Sequence, residues 1–259
     1  MTSVLPTYLV LADKLAEQIS ELEPRERLPS EVELAERHHV SRLTARAAMQ
    51  ELERRYLVRR AKGSGTYVAE RVEYVISPRF VPWTDMVHQA GATTTRPILR
   101  ATPIRANDDI SQSLGLARNS RVVELVRLGT VNEVVANLTH SYLPTDLAPQ
   151  FPELLATAGT DLVPVLRSLG YRPKRLWAYA ELAVPDIETA KTLEVDGRPP
   201  LWLVVHCIVD ATSGRRLVLS RAWNRPDVLR VRFEFGSPDV PSPSTTPAKA
   251  SQPPRKDTE

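Results

Sequence analysis

Through the first 60 residues the apolar side chains recur at helical spacing, whereas from residue 94 onward most of them fall in strand-like runs. Residues 6–21 carry Tyr8, Leu11, Leu15 and Ile19 close to one face, which predicts an amphipathic helix with Pro6 near its start. A second helix opens at Ser30, where Glu33 completes a capping box and Val32, Leu34 and Ala35 supply the inner face. A third opens at Ser41, with Leu43, Ala47, Leu52 and Leu57 on or near one apolar stripe. His38-His39-Val40 leaves room only for a turn between these two. Tyr56–Arg60, Ala61–Gly65 and Thr66–Ala69 then read as a strand, a turn and a return strand.

The pattern changes at residues 70–82, where charge, β-branched residues, Pro78 and Pro82 predict an extended linker with a short strand at Val72–Ile76. A second unit follows over residues 83–236. Its first element is a short helix from Thr84, as N-cap, to Gly91. Strand runs are predicted at Thr94–Pro103, Arg121–Thr130, Glu133–Tyr142, Leu176–Val184, Leu201–Asp210, Arg216–Asn224 and Arg230–Phe235. Helices fall between them at Asp108–Leu114, Thr160–Leu169 and Asp186–Leu193, and Asn132 and Ser213-Gly214 mark hairpin turns. Hairpin-connected strands with interspersed helices define an α+β domain around an antiparallel sheet. Trp177, Tyr179, Trp202 and Trp223 fall on strands and are expected to pack the sheet; Arg225 and Asp227 are expected to make a local turn or an interface pair. Residues 237–259 hold six prolines, four serines and three threonines with almost no aliphatic side chains, so they cannot offset ordering entropy and are expected to be disordered.

Charge sharpens the reading of the first unit, residues 1–70. Residues 1–36 hold three Lys/Arg against eight Asp/Glu, whereas residues 37–65 hold eight against two. The positive charge therefore gathers on the third helix and the hairpin, where a duplex's phosphates would neutralise it. Two short helices joined by a tight turn form a helix-turn-helix, whose second helix enters a major groove with its N-terminal residues on base edges. Cys207 is the chain's one cysteine and lies in an apolar run, as a buried structural thiol would. The five histidines show no metal spacing, and neither a signal peptide nor a stretch of about 18 apolar residues is present, which predicts a cytoplasmic protein with no cofactor, metal or membrane partner.

Leu28-Pro29-Ser30-Glu31, Val40-Ser41-Arg42-Leu43-Thr44-Ala45-Arg46 and Gly63-Ser64-Gly65-Thr66-Tyr67-Val68 resemble, in order and spacing, the winged helix-turn-helix of the GntR family of bacterial transcriptional regulators. The resemblance implies that Ser41, Arg42, Thr44 and Arg46 reach bases or phosphates and that Gly63, at the wing tip, enters the minor groove. Ser30, Lys62 and Thr66 complete the expected DNA-binding set. Many relatives carry Arg after the Glu of the first motif; here Val32 stands there.

Residues 80–236 resemble the effector-binding UTRA domain of the family's HutC branch, similar in fold to chorismate lyase. Arg127, Ser141-Tyr142-Leu143-Pro144, Thr160, Ser220-Arg221 and Arg225-Pro226-Asp227 carry it. It implies a homodimer that recognises a palindromic operator and is released or repositioned by a small acidic metabolite, held by Thr84, Arg127, Tyr142, Thr160 and Ser220. Relatives that bind phosphosugars often show Arg-x-Arg at Arg127, where this chain has Gly129 in place of the second Arg. From the residues alone, a guanidinium alternating with Val126 and Leu128 can point into a cleft and bind carboxylate or phosphate bidentately. No nucleophile–base pair or paired carboxylate site is readable in residues 83–236, so no catalytic residue is assigned. The expected function is a ligand-responsive regulator, a repressor. A DNA binder whose second domain only dimerises, and a lyase-like enzyme, are the alternatives.

Overall fold

The computed structural model describes residues 5–61, 63–77, 81–147 and 161–235. Lys62, Thr160 and the tail expected to be disordered lie outside the described residues, so the expectations placed on them stay expectations.

The head is built from three helices and a hairpin: α1 (Thr7–Ile19), α2 (Glu31–Arg37), α3 (Arg42–Arg54), β1 (Val58–Ala61) and β2 (Gly65–Val68). Pro6 precedes α1, where its missing N–H costs nothing. Ser30 and Glu33 form the capping box of α2 in both directions. Ser41 caps α3, its Oγ accepting from the Thr44 N–H at 3.1 Å. Leu11, Leu15, Leu34, Met49, Leu52 and Val58 close the core. Burying each large side chain fully is worth roughly 1.5–3 kcal/mol.

Two core expectations are corrected here. Val32 is exposed, and Leu43 is 78% exposed, because the first turn of α3 projects beyond the three-helix body. Ala45, Ala48, Met49 and Leu52 fill the inner stripe instead.

The expected linker strand is present as β3 (Val72–Ile76), but it is not free. It pairs in parallel with β10 (Leu229–Phe233), Val72 facing Leu229 and Ile76 facing Phe233. The main sheet comprises β4 (Ile98–Arg105), β5 (Arg121–Val131), β6 (Val134–Pro144), β7 (Pro173–Ala183), β8 (Leu201–Asp210) and β9 (Arg216–Asn224). Its order is β4-β5-β6-β9-β8-β7, antiparallel throughout. Asn132 and Glu133 both take positive φ (47° and 67°), making the two-residue turn that joins β5 to β6.

Helices α4 (Trp83–Gln89) and α6 (Leu162–Ser168) pack with the β3–β10 pair over one face of this sheet. α5 (Asp108–Leu114) and α7 (Ile187–Thr192) cover parts of the other. Asn107 and Asp186 cap α5 and α7, and Gly115 ends α5 in the left-handed region at φ 66°. Trp177 and Trp223 pack the sheet as expected, while Tyr179 is 47% exposed and Trp202 lines a cleft toward the head.

Candidate DNA-reading face and buried arginine cluster

The outward turn of α3 presents Arg42, Leu43 and Arg46 together, all exposed. Among the described residues neither Arg42 nor Arg46 is in an ion pair, so both guanidiniums are available to phosphates or guanine edges. The same is not true of three other basic residues of this segment. Arg54 and Arg55 are held by Glu51, Arg55 also by Asp13, and Arg60 by Glu31 and Glu53. Their charge is neutralised inside the head. These bonds hold the Glu51 carboxyl down at about 2.

Ser41 and Thr44 share a hydroxyl–hydroxyl hydrogen bond of 2.8 Å, so their first role is to frame the helix start. Ser30 is exposed at the start of α2, and Thr66 pairs with Arg60 across the hairpin. Gly63 stands at the hairpin tip with φ 76° and nothing within 4 Å of where a Cβ would project. Leu43, assigned to the core by its spacing, belongs to this face; an apolar side chain there suits a thymine methyl.

In the second unit the strand register decides which side chains meet. Arg127 lies opposite Thr139 on β6, Ser141 opposite Ser220 on β9, and Ser220 opposite His206 on β8. All are buried on the face beneath α4. Arg127 Nη2 donates to Ser141 Oγ at 3.0 Å, and Ser141 and Ser220 are hydrogen-bonded at 3.0 Å. Arg96 adds a second guanidinium, bonded to Asp161 Oδ1 at 2.9 Å and to Thr139 Oγ1 at 3.3 Å. It also lies over the Trp83 ring, 5.4 Å from its centroid. Arg175 is a third, donating to the Ser77 carbonyl at 2.5 Å.

Burial depresses the Arg127 guanidinium well below its usual value, and the neighbouring Arg96 charge adds to that. Burial likewise pushes the His206 imidazole far down, helped by Arg175, Arg127 and Arg96. Each shift records a cost of gathering cationic groups out of water, which the Asp161 carboxylate paired with Arg96 offsets only in part and a further anion among them would offset more.

Two of the residues expected here stand differently, and a third lies outside the described residues. Thr84 is not the N-cap of α4 but lies within its first turn, after Pro82. Its backbone N–H donates to Asp161 Oδ2 at 3.1 Å, so it still borders the cluster. Tyr142 falls on the opposite face of the sheet, packed with Ile110, Leu114 and Leu219; burial and the facing Glu124 push its hydroxyl up to about 12. It does not join Arg127. Thr160 lies outside the described residues, and its neighbour Asp161 is the N-cap position of α6. Arg96, Asp161, Arg175 and His206 carry no pattern in the sequence that marks them as a site.

A shape constraint accounts for Gly129. A Cβ there would sit 3.0 Å from Trp83 Cε2 and Cζ2. The indole occupies the space beside it, and the second guanidinium comes instead from Arg96 on the segment before β4.

The family model described as bacterial regulatory proteins, gntR family, matches residues 7–68, and the UTRA domain model matches residues 89–230. The HTH-type transcriptional regulator Rv0792c of Mycobacterium tuberculosis is 32% identical over 95% of this chain and 90% of its own length. The chain belongs to the GntR family. The HTH-type transcriptional repressor NagR of Bacillus subtilis is 28% identical over 58% of this chain and 63% of its own length. The solved structure of PhnF from Mycobacterium smegmatis superposes with a TM-score of 0.61 at 23% identity, covering 88% of this chain and 99% of that one. That likeness shows a shared fold. A GntR head followed by a UTRA domain makes this chain a transcriptional regulator, with the domain pairing expected of the HutC type. Among the described residues no helix is long and apolar enough to cross a membrane, and no group of His, Cys, Asp and Glu is arranged to hold a metal ion.

Proposed function

We propose that this GntR regulator binds a palindromic operator as a homodimer and acts as a repressor, relieved when a small acidic metabolite enters the second domain. The convergence of Arg127 and Arg175 with Ser141, Ser220 and His206 on one buried sheet face, with Arg96 reaching in from the segment before β4, carries the proposal. Buried guanidiniums beside hydroxyl donors form a receptor for carboxylate or phosphate, and Arg presents a fork that matches either anion. The relative whose name includes "repressor" supports the sign of the response. A repressor that lets go on binding the metabolite needs only a difference in that ligand's affinity for two arrangements of the heads.

Thermal shift of the full chain against inorganic phosphate, phosphorylated sugars and small carboxylic acids tests the second domain. The expected result is a rise in melting temperature with one class of acid, absent in Arg127→Ala. A neutral ligand that stabilises both proteins equally would refute the acidic site. Gel shift with the chain's own upstream DNA tests the head: binding should be lost in Arg42→Ala/Arg46→Ala, and retention would remove α3 from the groove.

A further inference from the structure

The head meets the second domain across a separate cleft of about 630 Å³, away from Arg127. Arg54 and Tyr56 of the head form one side, and Arg71, Leu182, Trp202 and Arg230 the other. The volume is that of a small-molecule site, and domain junctions are where such sites commonly form.

Two of the arginines are uncommitted. The nearby carboxylates are already used: Asp227 accepts two N–H bonds from Arg225, at 3.1 and 2.6 Å, and Glu73 accepts from Arg232 at 2.5 Å. Among the described residues Arg71 and Arg230 have no ion-pair partner. Burial depresses the Arg71 guanidinium and the Arg230 charge depresses it further, the Asp227 carboxylate offsetting part of this, so with Asp227 committed to Arg225 this end of the cleft still favours an anion. Arg54 is different, since Glu51 holds it through Nε and Nη2 at 2.7 Å each.

The rest of the lining is apolar. Leu182 is 59% exposed, beside a half-buried Trp202 and an exposed Pro200. Tyr56 sits just past α3 with φ 58°, a left-handed backbone where Gly or Asn is usual and an aromatic residue is strained. The chain tolerates that strain and places a ring at the cleft's head side. The cleft is at the C-terminal end of α3, about 18 Å along the helix from Arg42, so it is not part of the DNA-reading turn.

We propose that this cleft is a second ligand site, taking a small amphipathic anion with its acidic group between Arg71 and Arg230 and its apolar body against Trp202 and Leu182. Because Tyr56 belongs to the head, an occupant touches both domains and fixes their angle. This is an input independent of the Arg127 cluster.

The test uses the full chain and two fluorescent probes of one shape. One is 1-anilinonaphthalene-8-sulfonate, an aromatic anion; the other is N-phenyl-1-naphthylamine, its uncharged analogue. The sulfonate should bind saturably and more tightly than the amine. Arg71→Gln/Arg230→Gln should weaken the sulfonate by about tenfold or more, the scale of removing one charge-assisted hydrogen bond, and leave the amine nearly unchanged. Leu182→Asp should weaken both probes, and Arg127→Ala should weaken neither. Equal affinity of the two probes, or equal weakening of both in the double arginine variant, overturns charge recognition. Sulfonate binding abolished in Arg127→Ala and kept in the double variant moves the probe to the cluster. That outcome ends the second site while leaving the proposed function standing.

Discussion

Asn132, in the turn between β5 and β6, donates its side-chain amide to Glu70 Oε2 at 3.1 Å, and the same oxygen accepts from Arg25 Nε of the head at 2.5 Å. Asn132 is itself fixed, its Oδ1 accepting the Thr93 N–H at 3.0 Å and its own N–H bonded to the Thr93 carbonyl. The strand that carries Arg127 thus ends in a turn that grips the head. Asn132→Ala and Glu70→Ala should each destabilise by at least about 0.5–1.5 kcal/mol, the net worth of the hydrogen bond they share, the first also losing the Thr93 contact and the second the Arg25 pair. In a double-mutant cycle followed by urea unfolding their effects should fall short of additive, since both remove the same hydrogen bond. Strict additivity would mean that the two side chains do not act together.

The proposed DNA-reading turn makes a prediction about an apolar residue. Leu43→Glu should abolish operator binding and leave the melting temperature almost unchanged, because the side chain is 78% exposed and packs on nothing in the core. Arg42→Ala and Arg46→Ala should each reduce the slope of log affinity against log salt by about one for every phosphate that is no longer neutralised. Arg54→Ala should not change that slope, since Glu51 already neutralises it. Filter binding across a salt series separates the three. A salt slope that falls as much in Arg54→Ala as in Arg42→Ala would relocate the phosphate contacts.

Caps and turns are the most legible features of the chain. Ser30, Ser41 and Asp186 each accept a backbone N–H at a helix start, and Asn132 makes its turn, because such features depend on a few adjacent residues. Leu43 is misplaced by its spacing because helical periodicity says which residues share a stripe but not where the stripe runs out of partners. The arginine cluster is half legible. Ser141 and Tyr142 are neighbours in sequence, and only one can face Arg127; the register across β5, β6 and β9 selects Ser141. Arg96, Asp161, Arg175 and His206 come from four separate segments with no shared spacing. Their convergence exists only once the sheet order is set.

Gly129 provides a sensitive test of that convergence. Gly129→Ala places a methyl group 3.0 Å from the Trp83 indole, whose Nε1 donates to Thr94 Oγ1 at 2.8 Å and whose ring carries Arg96. Overpacking of this kind costs about 1–3 kcal/mol. The indole should shift, carrying Arg96 away from Asp161, so weaker binding of the acid that stabilises the wild type should accompany the lower stability. Near-ultraviolet circular dichroism should report the Trp83 displacement. An unchanged spectrum with unchanged stability would mean that the indole has room to spare.

His206 sets a pH dependence whose sign is fixed by its environment. Its imidazole is held well below the usual value by burial and by Arg175, Arg127 and Arg96, whereas in the unfolded chain it titrates near about 6.5. Below that pH the unfolded state takes up a proton that the folded state refuses. The contribution is therefore fully present above about pH 6.5 and lost as the pH falls, at up to about 1.4 kcal/mol per pH unit. His38 is lowered as well, but it remains in both proteins of the comparison and cancels. Asp210 and Glu51, each held at about 2, act in a lower window, losing their contribution between about pH 4 and their folded values. Urea unfolding at pH 7.5, 6.5 and 5.5 should show a steeper loss of stability for the wild type than for His206→Gln. Inorganic phosphate bound among the three guanidiniums would favour a charged imidazole and flatten the wild-type slope toward that of the variant. Parallel pH profiles for the two proteins would place the uncompensated proton elsewhere.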